Sequence, residues 1–305
     1  MKLIVVTFGG RECSIKILFK YILKYKKYID EYRIYIATTV ENDINFMEKF
    51  AKDNSDFVKI IYTYDENHNK ILNDKNKIWD NSYKNSMEED CVYLKFDDDI
   101  VYIEENIFTD FITYRLKNPE PLLIYPIIIN NIISSYNLQE KNIFSTHSKT
   151  NIGKSWINTF NRIKPYLIQN KGKNIKIGKI TKMQEVLCPI SWGNLEYCIN
   201  IHNTFINNVN NKNINKYRIG NYTLKNSEPM SINCCCWLGT GLKNVVNKYG
   251  NIVDDEPRLS IYLPTWDNNP NKVFGNTIVS HYSYYKQRDL GLDDTDILNK
   301  YDKLI

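Results

Sequence analysis

An α/β fold with a mostly parallel sheet flanked by helices is the class that the sequence predicts. Two observations point to it. Over the first hundred residues, β-prone apolar runs alternate with amphipathic stretches of helical period. Glycine, threonine or charged residues then stand where those apolar runs end, at Thr7-Phe8-Gly9-Gly10-Arg11 and at Asp97-Asp98-Asp99. In a doubly wound sheet, ligands bind outside the carboxyl ends of the strands.

The elements follow in order. Lys2 to Phe8 reads as a buried strand. Its closing glycines let a ligand approach the backbone. Ser14 to Tyr28 reads as a helix, with Ile15, Leu18, Phe19, Ile22 and Leu23 on one stripe. Tyr32 to Thr38 and Phe57 to Tyr64 read as strands, and Ile44 to Lys52 and Lys77 to Glu88 as helices. Cys91 to Phe96 is a fourth strand, ending in three carboxylates. A helix over Glu104 to Leu116 and a strand over Pro119 to Ile129 are expected next. Beyond them the pattern weakens, and a poorly patterned middle insertion is expected. Lys141 to Gln184 holds no acidic residue. It reads as a solvated insertion or as a surface for an anionic acceptor or membrane. Asn151-Ile152-Gly153-Lys154-Ser155 is not a phosphate loop, because Ser148 takes the earlier glycine position. Asn200 to Asn213 is Asn-rich and reads as a loop. Ser231 to Leu238 is apolar again, with a helix from Gly239-Thr240-Gly241 to about Tyr249. Asp254-Asp255-Glu256-Pro257 has the form of a helix start, and Ile278 to Tyr282 that of a strand.

Composition bounds the function. The chain has 305 residues, 43% hydrophobic and 25% charged, so it is globular and can bury a core. A formal net charge of +5 is too mild to indicate nucleic acid. Heavy use of Asn, Ile, Lys and Tyr reads as the mark of an AT-rich genome. The seven cysteines fit no zinc spacing and suit a reducing compartment. No signal peptide is visible, because Gly9-Gly10-Arg11-Glu12 ends the first apolar run. The most apolar stretch, Leu122 to Ile133, falls below the about 18–20 residues of a membrane span. A soluble, cytoplasmic protein is the expectation.

The chemistry centres on Asp97, Asp98 and Asp99. Three adjacent carboxylates are costly unless something positive compensates them. They repel one another, so removing one is expected to relieve the metal-free protein. In an extended chain Asp97 and Asp99 point to the same side. Two oxygens at a strand end suit a hard cation, Mn²⁺ or Mg²⁺, with coordination positions left for a diphosphate. The plainer alternative is an acidic turn.

An apolar strand, Asp-x-Asp and further apolar residues resemble the metal-binding motif of GT-A fold, nucleotide-sugar-dependent glycosyltransferases. The layout is similar through most of the chain, as a single unit of 1–305. A nucleotide half spans 1–130 and an acceptor half 131–305. The resemblance implies sugar transfer from a nucleotide diphosphate sugar, a UDP-sugar by preference, to the hydroxyl of a glycan, protein or lipid. It implies Asp97 (or Asp98), Asp99 and a late histidine, His281, as metal ligands. Lys286 or Arg288 would then neutralise the diphosphate, and Asp255 or Asp254 would act as general base. Simple helix capping is the other reading of those two aspartates. Thr7, Arg11, Lys77 and Asn81 are placed in the nucleotide pocket from strand-end position. His68, His147 and His202 read as surface residues. Two rivals remain. One is a sugar nucleotidyltransferase, of whose phosphate loop Gly9-Gly10-Arg11 is a fragment. The other is a non-catalytic carbohydrate- or polyanion-binding protein on the same scaffold.

Overall fold

The computed structural model describes residues 1–144, 167–170, 173–176, 193–224, 228, 230–252 and 254–305. In chain order, β1 (Lys2–Gly9) leads to α1 (Glu12–Lys24) and β2 (Glu31–Ile36) to α2 (Glu41–Asp53). After β3 (Val58–Ile61) comes a small hairpin of β4 (Thr63–Tyr64) and β5 (Lys70–Ile71), then α3 (Lys75–Lys84). β6 (Cys91–Phe96), β7 (Ile100–Ile103), α4 (Asp110–Lys117), β8 (Ile124–Ile129) and α5 (Ile132–Glu140) follow. A hairpin of β9 (Leu167–Asn170) and β10 (Lys173–Lys176) precedes α6 (Leu195–Asn210), β11 (Tyr222–Thr223), β12 (Cys234–Leu238) and α7 (Gly239–Tyr249). The helical segment α8 joins Asp255–Pro257, a π-turn over Arg258–Tyr262 and Leu263–Trp266. β13 (Lys272–His281), α9 (Tyr285–Asp289) and α10 (Ile297–Asp302) complete the described chain.

The result is α/β: a mixed, mostly parallel, Rossmann-like sheet flanked by helices. Its path runs β11-β13-β8-β12-β6-β1-β2-β3, and β7 pairs with β13 beside that path. β3, β2, β1 and β6 are parallel neighbours, and so are β8 and β13. β12 runs antiparallel between β6 and β8. The central strands are apolar on both faces because helices cover both. Leu3 to Val6, Val92 to Leu94 and Ile127 to Ile129 are all buried. α1 packs Ile15, Leu18, Phe19 and Ile22 inward, and Phe19 stacks on Phe50 of α2 at 3.7 Å between ring centres.

This topology gathers the strand ends. Gly9 of β1 is level with Ile36 of β2, and Val6 with Lys95 of β6. Ser280 of β13 is level with Ile129 of β8. β12 enters from the opposite direction, so Asn233 lies beside Asp97.

Several expectations need correction. The chain after Asp99 does not go straight into a helix: Ile100–Ile103 is a strand, and the helix starts at Asp110. The 119–129 strand begins only at Ile124. Asn200 to Asn213 is not a loop, because α6 runs through Asn210. Its Tyr197, Cys198, Ile201, Phe205 and Ile206 form a buried helical stripe, and the asparagines take the outer face. His202 belongs to that stripe and is buried, whereas His68 is exposed as expected. His147, the 151–155 segment and most of the acid-free stretch lie outside the described residues. Among the described residues no helix is long and apolar enough to cross a membrane.

Candidate active site

A cleft of about 510 Å³ opens at the gathered strand ends. Gly10 and Arg11 line it from β1, Ala37 from β2, and Lys75 and Trp79 from α3. Lys95, Asp97 and Asp98 form its floor, Asp254 to Pro257 one wall, and Arg288 closes it from α9.

The three aspartates are not extended. Ile100 N donates to Asp97 O at 3.1 Å, so residues 97–100 make a tight turn. Asp97 and Asp99 still converge, and Asp98 diverges. Asp97 accepts from Lys95 Nζ and from Asn233 Nδ2 at 3.1 Å. Asp98 forms a close ion pair with Arg11, whose Nη2 also lies 3.1 Å from Asp99 Oδ2. Asp99 is 1% exposed, and His281 approaches it from the end of β13. Tyr282 N donates to Asp99 O at 2.8 Å, fastening that strand end to the turn.

The ligand atoms of Asp97, Asp99 and His281 all lie within 4.8 Å of one another. This set fits a hard or borderline divalent cation. A local detail supports the fit. Asp99 Oδ1 is buried and makes no hydrogen bond, and His281 Nε2 stands 3.4 Å away. His281 Nδ1 faces the Asn130 carbonyl at 3.4 Å while Nε2 faces Asp99, and both of those groups only accept. A neutral ring can donate to one of them; a cation between Nε2 and Oδ1 would satisfy the carboxylate and leave the ring proton for the carbonyl.

The electrostatics agree. Burial opposes the charge on His281, but Asp99 outweighs it and raises the imidazole pKa above its ordinary value. Burial likewise opposes ionisation of Asp99, yet Arg11 and then His281 hold its carboxyl well below the usual range. Lys95 is 2% exposed; burial disfavours its charge, and Asp97 restores it. Asp255 is buried and accepts from Tyr83 OH at 3.0 Å. Burial raises its pKa, opposed by Lys95. Asp254 is exposed, left-handed at φ 56°, and makes no side-chain capping bond. Asp254 therefore does not cap the segment through its side chain, while Asp255 stands in its acidic first turn.

The remaining expected residues are scattered. Thr7 is buried beneath the floor, its hydroxyl without a partner. Lys77 is exposed beside Asp74, and Asn81 donates to Thr63 Oγ1 at 3.1 Å, facing the β4–β5 hairpin. Neither lines the cleft. The side of α3 that faces the cleft carries Lys75 and Trp79, four residues apart, and Lys77 and Asn81 fall off it. Arg288 Nη1 is 3.9 Å from Asp99 Oδ2, and Lys286, half-buried, does not line the cleft. Sequence reasoning missed Lys95, whose signal was a lysine inside an apolar strand two residues before Asp97. It also missed Trp79, Asn130 and Gln287, which no local pattern marks.

No family model and no curated protein matches the chain. Among solved structures it is similar to a 4-diphosphocytidyl-2C-methyl-D-erythritol synthase from Anaerococcus prevotii, at 10% identity and a TM-score of 0.30. The match covers 42% of this chain and 55% of that one. The chain thus spans about half the length of that enzyme. A likeness this distant says nothing of what this chain binds. Fold and site define a Rossmann-like α/β protein whose strand-end cleft adjoins a cluster of half-buried Asp97 and buried Asp99 and His281 that could hold a metal ion.

Proposed function

We propose that this protein is a metal-dependent glycosyltransferase that moves a sugar from a nucleotide diphosphate sugar, a UDP-sugar by preference, to an acceptor hydroxyl. The observation that supports it is the convergence of Asp97, Asp99 and His281, of which Asp97 lines a cleft that also holds Arg11, Arg288 and Asp255. When bound there, Mn²⁺ or Mg²⁺ neutralises the charge that builds on the departing diphosphate. Arg288 adds to that neutralisation from the side of Asp99, and Arg11 from the β1 turn. Phe8 and Trp79, edge to face at 6.5 Å, offer an aromatic wall for the base. Lys75 stands at the rim beside it. Asp255, its pKa raised by burial, takes the acceptor's proton. Asp254 is the exposed alternative. Residues 1–130 contribute the base wall and 131–305 the acceptor wall of one catalytic unit.

Calorimetry with UDP, with and without Mn²⁺, tests the reading: binding should be metal-linked. Absence of metal-linked binding would favour a non-catalytic carbohydrate- or polyanion-binding scaffold. The nucleotidyltransferase rival draws on Gly10 and Arg11 lining the cleft. A product assay separates it, since transfer of sugar releases a nucleoside diphosphate and nucleotidyl transfer releases pyrophosphate.

A further inference from the structure

Two aspartates of the triplet belong to the cation cluster, and the middle one does not. Asp98 is 6% exposed, and a carboxylate is not kept in such a place without compensation. One guanidinium takes both of its oxygens. Oδ1 accepts from Arg11 Nη2 in a close ion pair, and Oδ2 accepts from Nε at 3.3 Å. Such a fork fixes the plane of the guanidinium as well as its place. Nη2 reaches on to Asp99 Oδ2 at 3.1 Å, and Nη1 has no partner among the described residues. Arg11 lines the cleft with 30% of its side chain exposed, so the group that Asp98 fixes is open to a ligand. The backbone alone does not fix it. Arg11 is the N-cap residue of α1, and Ile15 N donates to its carbonyl at 3.0 Å. Beyond Cα, an arginine that nothing holds keeps about 2 kcal/mol of rotamer entropy.

We propose that Asp98 is a positioning residue and not a metal ligand: it holds the Arg11 guanidinium beside the cation cluster, in place for the diphosphate of the donor. This rests on the nucleotide diphosphate reading above. The pairing has a cost in charge, because Asp98 offsets the cation that a diphosphate would meet. Were attraction all that the site required, an unpaired Arg11 would serve better. A carboxylate that weakens the field of Arg11 and yet locks its plane suits a site where a diphosphate and a metal ion must share one geometry.

Two binding measurements on the whole chain separate ligand from anchor. Mn²⁺ alone is titrated by the loss of its free-ion EPR signal, and UDP by calorimetry at saturating Mn²⁺. Asp98→Asn keeps the size and loses the charged fork. It should leave Mn²⁺ affinity within about threefold of wild type and weaken UDP by about tenfold. Arg11→Gln should lose about as much UDP affinity. Adding Asp98→Asn to it should cost no more, because the anchor then has nothing to hold. Arg11→Lys keeps the charge without the fork, and should lose UDP affinity as Arg11→Gln does. It carries the comparison if Asp98→Asn fails to fold. Tighter UDP binding by Asp98→Asn would make this aspartate a counter-charge only and overturn the proposal. Additive losses in the double variant, or wild-type UDP affinity in Arg11→Lys, overturn it as well. A loss of Mn²⁺ by Asp98→Asn as large as that by Asp99→Asn makes Asp98 a ligand, with the same consequence, and leaves the donor reading standing. A wild type whose UDP affinity does not depend on Mn²⁺ removes the donor reading, and the proposal with it.

Discussion

At Asp99 a buried carboxylate answers to two guanidinium groups and an imidazole, and the balance differs from what the bare triplet of aspartates implies. Read alone, the triplet is self-repelling, so deleting one member should help. In the fold, Arg11 Nη2 lies 3.1 Å from Asp99 Oδ2, His281 3.4 Å from Oδ1, and Arg288 3.9 Å away. Asp99→Asn should therefore destabilise the metal-free protein and lower its melting temperature, the free-energy loss being on the order of 2 kcal/mol, less than for a wholly buried pair because Arg11 is partly solvated. It should also abolish Mn²⁺-linked nucleotide binding in calorimetry. A stabilised Asp99→Asn would mean that repulsion dominates after all. His281 supplies a second test. Its pKa is raised chiefly by Asp99 against burial, so proton and cation compete for Nε2. The protonated ring cannot bind, hence Mn²⁺ affinity should fall with decreasing pH, and the fall should begin above about 6.5. His281→Ala should bind more weakly and show a flatter profile from about pH 5.5 to 7.5. An unchanged profile in the variant would take His281 out of the metal site.

At the level of elements, α6 shows how a site is buttressed from a distance. His202 Nε2 donates to Tyr282 O at 2.8 Å, since a carbonyl only accepts. Nδ1 then accepts from Tyr301 OH at 2.8 Å, which leaves Ser280 Oγ to donate to Tyr301 at 2.7 Å. Burial holds this imidazole neutral and lowers its pKa to about 4. The unfolded chain takes up the proton near pH 6.5 and the folded protein only near 4, so the unfolded state binds more protons in between. Stability is thus full above about pH 6.5 and lost as pH falls toward 4, by on the order of 3 kcal/mol at most. His202→Gln retains a donor for Tyr282 and does not titrate. Urea titrations across that range should show the wild type losing stability relative to the variant; parallel curves would refute the assignment. This helix also shows why part of the fold was not legible. Its asparagines face outward and look like a loop, and the inward spacing of Tyr197, Cys198, Ile201, Phe205 and Ile206 was the signal to follow. The β-α alternation up to Phe96 was legible because each strand there is a continuous buried run flanked by an amphipathic stripe. β7 was not, because four residues too few for a clear period sit directly after a charged turn.

Across the whole molecule, the cleft draws on segments that are far apart in sequence. Asp97, Asp99 and His281 were readable because each stands at a strand end, where a parallel sheet places ligands. Lys95, Asn130 and Gln287 were not, because their roles exist only through partners supplied by the fold: Asp97 and the Ile232 carbonyl for Lys95, and each other for the two amides. Such a site predicts how ligands act on stability. Arg11 from β1, Asp97 and Asp99 after β6, His281 from β13 and Arg288 from α9 meet only in the native state. A nucleotide diphosphate and Mn²⁺ bound among them should therefore stabilise the native chain and not the unfolded one. At a hundredfold excess over Kd, mass action gives about 2.7 kcal/mol. For a chain of this size that is a rise of several degrees in Tm, at roughly 2–4 °C per kcal/mol. UDP alone should give much less, because the acidic floor repels an unescorted diphosphate. Mn²⁺ alone should give an intermediate rise through Asp97, Asp99 and His281. A thermal-shift series of UDP, Mn²⁺ and both together checks the order. Equal stabilisation by UDP with and without Mn²⁺ would mean that Arg11, Lys75 and Arg288 hold the diphosphate unaided, and the acidic cluster would then need another role.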